Sequence, residues 1–83
     1  MEKAKKSVED LQKVIEETEV DEAQGATLNE VSDHIDKFQK DPETHHQTLR
    51  ERLDLAVLEF DAEHHSLSES MRVAIYDLNN ARV

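Results

Sequence analysis

The chain has 83 residues, ten basic and twenty acidic, for a formal net charge of −10, with one glycine, one proline and no cysteine. A chain of this size holds one small domain with a modest core, and the missing cysteine excludes both a disulfide framework and thiol chemistry. The charge disfavours DNA, RNA or an anionic membrane surface as a partner, and the longest uncharged apolar run, Leu55 to Leu58, falls far short of the roughly 20 residues that cross a bilayer. The opening MEKAKKSVED carries no signal-peptide apolar segment. A cytoplasmic protein is expected.

Abundant Glu, Lys, Gln, Ala and Leu favour helix, and no period-two apolar pattern persists. The first helix is expected to start at Ser7, capped there with Asp10 three positions on, because Lys3, Lys5 and Lys6 oppose a helix N-terminal dipole. Residues 1–6 are expected to fray. Val8, Leu11, Val14, Ile15 and Thr18 then form one apolar stripe. Five acidic residues between Glu16 and Glu22 repel one another and mark a turn. A second helix follows, capped either by Asp21, with Gly25 inside it, or by Thr27 in a capping box with Glu30. Its Leu28, Val31, Ile35 and Phe38 have the seam spacing of a coiled-coil-like helical pair, so the first two helices are expected to form a hairpin.

Asp41-Pro42-Glu43 ends that helix and starts the next, with aspartate as cap and proline at the first helical position. The third helix carries Leu49 to Phe60, seven apolar residues in twelve, and the rest of the chain is organised around it. At 100° per residue Leu49, Leu53, Ala56 and Phe60 share a stripe with Val57 at its edge, while Leu55 and Leu58 point to the far side. Beyond it, Ser66 and Glu69 form a capping box that would start a fourth helix near residue 66. The fourth helix repeats the third at an offset of 18, with Leu67, Met71, Ala74 and Leu78 falling on Leu49, Leu53, Ala56 and Phe60. Since about 18 residues make five turns, one unbroken helix over residues 42–82 would give the same match. The expected fold is all-α: a small antiparallel bundle of four helices in two hairpins, the last two either separate or one long helix.

The closing block from Leu58, through Phe60, Glu63, His64, Leu67, Leu78 and Asn80, resembles the ending of a small bacterial family, domain-of-unknown-function family 4404 (DUF4404). The spacing of Leu11, Asp21, Leu28, Val31 and Ile35 resembles its first block, so the likeness covers most of the chain. His65 stands where that family carries proline. The resemblance implies a helical protein with no assigned activity.

Five histidines, His34, His45, His46, His64 and His65, invite a metal reading. Helical zinc ligands sit at i, i+3 or i, i+4, whereas adjacent histidines diverge by about 100° and the two doublets lie roughly 28 Å apart along one helix. Solvated or helix-terminal histidines fit this spacing better. Neither a glycine-rich loop nor a nucleophile elbow is present, no cofactor is implied, and no catalytic site is expected. The second stripe, Leu55, Leu58, Val73 and Tyr76, has two readings: burial inside the chain's own bundle, or a surface for self-association or for an unidentified protein partner. The sequence therefore points to a non-catalytic interaction module, most simply a homodimer. The alternative is a histidine-dependent metal-binding or pH-responsive protein.

Overall fold

Each of the four helical segments has an amphipathic repeat, and each folds as a helix: α1 (Glu2–Glu17), α2 (Glu22–Lys40), α3 (Pro42–Phe60) and α4 (His65–Asn80). The structure, a computed structural model, describes residues 2–80, and among these there is no strand. Helices α3 and α4 are separate elements, with residues 61–64 between them.

The four inner stripes meet in one cluster. It contains Ala4, Val8, Leu11 and Ile15 from α1, Leu28, Val31, Ile35 and Phe38 from α2, Leu49, Leu53, Ala56, Val57 and Phe60 from α3, and Leu67, Met71, Ala74 and Leu78 from α4. The sets advance by three or four residues, with Val57 added beside Ala56 on α3, so each helix buries one face. Phe38 and Phe60, the largest side chains in the cluster, are fully enclosed. At about 2 kcal/mol for each large side chain, this shared cluster is the main source of stability.

The start of α1 differs from the expectation. The helix begins at Glu2, ahead of Ser7, and Ala4 is buried against the core. Packing of Ala4 outweighs the unfavourable lysines near the N-terminus, each of which costs only a few tenths of a kcal/mol. Met1 lies outside the described residues. Ser7 is not a cap: its hydroxyl donates to the Asp77 carboxylate of α4. The chain leaves α1 as Thr18 folds back, its Oγ1 donating to the Val14 carbonyl at 2.6 Å.

Asp21, one of the two expected caps, starts α2, its carboxylate accepting from the Gln24 amide at 2.8 Å. Thr27 therefore lies inside the helix, as does Gly25. Asp41 serves two helices. Its amide donates to the Lys37 carbonyl at 2.9 Å, closing α2, and its carboxylate accepts from the Thr44 amide at 3.4 Å, opening α3 ahead of Pro42. Helix α4 begins at His65, one residue before the expected Ser66, and the Ser68 amide donates to the His64 carbonyl in its first turn.

The expected hairpin of the first two helices is the loosest of the contacts between helices that follow one another in the chain. Helix α1 touches α2 only lightly and packs chiefly on α4, while α2 packs chiefly on α3, and α3 on α4. Polar links follow the same pairing. Ser7 reaches Asp77, Thr27 Oγ1 donates to Glu59 at 3.0 Å, and Arg52 meets Glu30 at 3.6 Å. The Thr27–Glu59 link joins the early part of α2 to the late part of α3, and Glu30–Arg52 joins their middles.

Candidate interaction surface

The organising stretch of α3 divides cleanly between core and solvent. Leu49, Leu53 and Phe60 are fully buried, and Ala56 and Val57 nearly so. Leu55 and Leu58, on the opposite side, are 65% and 74% exposed. The same division recurs on α4, where Leu67, Met71, Ala74 and Leu78 are buried and Val73 and Tyr76 are 51% and 69% exposed. Of the two readings of the second stripe, internal burial is thus overturned. Among the described residues, no other element covers these four side chains.

Helical phase explains why. Relative to the centre of the buried stripe, Leu58 and Tyr76 lie about 160° away, and Leu55 and Val73 about 140° away on the other side. A helix whose inner face is already filled can only turn such residues outward. Isolated exposed leucines are ordinary, but four large apolar side chains on two neighbouring helices form a surface feature that the fold does not require.

Charged side chains flank the stripe. Arg50 pairs with Asp54 along α3 at 2.9 Å, and Arg72 of α4 reaches Asp61 beyond the end of α3, also at 2.9 Å. The Arg72 guanidinium, by hydrogen bond and then by charge, holds the Asp61 carboxyl below its ordinary pKa. At the start of α3 the hydrogen bonds from Thr44 do the same for Asp41. Sequence reasoning did not anticipate the Asp61–Arg72 pair, because the two residues approach only once the chain has turned.

The histidines are scattered. His46 Nδ1 lies 3.1 Å from the Pro42 carbonyl and 3.0 Å from that of Glu43; both neighbours are acceptors, so this nitrogen carries the proton. His64 packs on Phe60 with ring centroids 6.0 Å apart, and His65 Nε2 lies 3.3 Å from the Glu69 carboxylate. Among the described residues no three His, Cys, Asp or Glu side chains form a group that could hold a metal ion. A shallow groove of about 380 Å³ beside α1 and α2, lined by Glu9, Gln12, Lys13, Glu16, Ile35, Asp36 and Gln39, marks where those helices part. Among the described residues, no helix is long and apolar enough to cross a membrane.

No protein-family model, curated protein or solved structure matches the chain.

Proposed function

We propose that this chain is a non-catalytic helical module that associates with a second copy of itself through the outward faces of α3 and α4, as an antiparallel four-helix bundle working in the cytoplasm. The observation that supports it is the exposure of Leu55, Leu58, Val73 and Tyr76 in a chain that otherwise buries its large aliphatic and aromatic residues well. Size agrees with this reading. A stable interface takes about 800 Å² from each partner, roughly 15% of the 5292 Å² surface of this chain, and the flanks of two adjacent helices can supply it. The four side chains would form its apolar centre, and Arg50, Asp54, Asp61 and Arg72 a polar rim. The likeness to DUF4404 belongs to the same proposal, since it implies a small helical protein without assigned chemistry.

Size-exclusion chromatography with light scattering tests the reading. The wild-type chain is expected at twice its 9.6 kDa mass, and a Leu58→Glu/Tyr76→Glu variant at the single mass with an undiminished helical signal. A wild-type chain that runs as a monomer at every concentration overturns it.

A further inference from the structure

The charge on this molecule is unevenly placed along its length. Residues 16–22 and 59–63 together hold eight carboxylates (Glu16, Glu17, Glu19, Asp21, Glu22, Glu59, Asp61 and Glu63) and no lysine or arginine. Both segments lie at the same end, because Thr27 near the start of α2 donates to Glu59 near the end of α3. The other end receives the start of α1, with Lys3, Lys5 and Lys6, and the close of α2, with Lys37 and Lys40. There the acids Glu2, Asp36, Asp41, Glu43 and Asp77 leave little net charge. With Asp61 paired to Arg72, seven unpaired carboxylates at one end of a body 36 Å long and 19 Å across account for most of the net charge of −10.

Resting on the self-association reading above, we infer that the second copy lies antiparallel to the first, each acidic end beside its partner's lysine-bearing end. A parallel pair would set the seven unpaired carboxylates of each acidic end beside those of the other copy, within one or two screening lengths of about 8 Å at physiological salt. An antiparallel pair separates the two acidic ends by most of the 36 Å body, several screening lengths, and sets a lysine-bearing end of little net charge beside each acidic one, so the repulsion of acid against acid is removed. The stripe is positioned for this arrangement. Counted from the shared 61–64 end, Leu58 and Leu55 lie two and five residues into α3, and Val73 and Tyr76 eight and eleven residues into α4. At 1.5 Å per residue their mean depth is about 10 Å, within one turn of the midpoint of helices about 24 to 28 Å long. A two-fold axis crossing the bundles at mid-length therefore brings the stripe onto its own copy, as an isologous contact requires.

The absence of cysteine makes the test direct. Glu63→Cys labels the acidic end and Glu43→Cys the opposite end; both positions are exposed. Each is nitroxide-labelled, and distances between copies are measured by double electron–electron resonance for each variant alone and for their mixture. The expected result is that the mixed pair, 63 to 43, is closer than either same-site pair by roughly 15 Å, from the helix length and a lateral offset of about one bundle width. Same-site distances shorter than the mixed one overturn the antiparallel arrangement while leaving association standing. If no distance between copies appears in any sample and light scattering gives a monomer, the association reading itself fails, and this inference with it.

Discussion

The two stripes of α3 can be separated by one substitution made twice. Leu53 is fully buried and Leu58 is 74% exposed, five residues further along the same helix. Leu53→Ala removes methyl groups from the centre of the cluster and leaves a cavity, a change that costs about 2 to 5 kcal/mol. A chain of 83 residues has a total stability of roughly 4 to 12 kcal/mol, so the loss is a large share of the whole. At about 4 to 8 °C per kcal/mol for a domain this small, a 3 kcal/mol loss lowers the melting midpoint by about 12 to 24 °C. Leu58→Ala removes side-chain atoms that are already in water, and alanine is the slightly better helix former, so the dilute chain should change by less than about 0.5 kcal/mol. Its effect should emerge as concentration rises. A dimer gains stability by mass action, and the wild-type midpoint should climb with protein concentration while that of Leu58→Ala stays nearly flat. Thermal unfolding followed by far-ultraviolet circular dichroism at low and high concentration measures both quantities. A dilute Leu58→Ala chain as unstable as Leu53→Ala would refute the division of α3 into an inner and an outer face.

Gly25 is helical with φ in the ordinary negative range, and a Cβ added there would meet only Val20 Cγ2, at 3.8 Å. Gly25→Ala should therefore stabilise the chain by about 0.5 to 1 kcal/mol, read as a rise in the urea midpoint; a fall would mean that α2 needs the smaller residue. Asp61 and Asp41 both have carboxyl pKa values below the ordinary one, Asp61 through Arg72 and Asp41 through Thr44. A depressed folded-state value contributes stability that is fully present above the ordinary aspartate pKa of about 3.9 and is lost as pH falls through the lower folded value. Carboxyl-carbon chemical shifts followed from pH 7 to pH 2 should place the Asp61 midpoint below that of an unperturbed aspartate, and Arg72→Gln should move it back up. An unchanged midpoint in Arg72→Gln would remove that arginine as the cause.

The inner stripes were legible because each repeats at three and four residues: Leu28, Val31, Ile35 and Phe38, like Leu49, Leu53, Ala56 and Phe60, all lie in the core. The Asp41-Pro42 junction was legible because aspartate suits an N-cap and proline the first helical position, in that order. The contact of α3 with α4 was expected from their succession, but the close packing of α1 on α4 and of α2 on α3 was not. All four stripes have the same spacing, so each could pair with any other, and the choice shows only in single links such as Ser7 to Asp77 and Thr27 to Glu59. The start of α1 was hidden for a related reason. Local electrostatics argued against a helix through Lys3, Lys5 and Lys6, and the opposing influence, burial of Ala4, comes from residues distant in the chain. For the candidate surface, spacing separated Leu55 and Leu58 from the inner stripe, but their exposure depended on whether other helices would lie over them.

The offset of 18 residues between α3 and α4 carries burial as well as sequence. Leu49, Leu53 and Ala56 map onto Leu67, Met71 and Ala74, buried onto buried, while Leu55 and Leu58 map onto Val73 and Tyr76, exposed onto exposed. Folding alone accounts for the first set, because any helix of this bundle needs one apolar face. It does not account for the second: glutamate, lysine or glutamine would have equal or better helix propensity at those positions and would keep the surface polar. α1 and α2, built from the same residue types, leave no large apolar side chain comparably exposed. An outward apolar stripe confined to two neighbouring helices, and repeated at the same phase on both, is what a surface covered by another molecule requires. If the proposed self-association holds, replacing all four residues by glutamine should leave the dilute chain folded and abolish any rise of the melting midpoint with concentration, whereas an unchanged concentration dependence would remove the stripe as its cause.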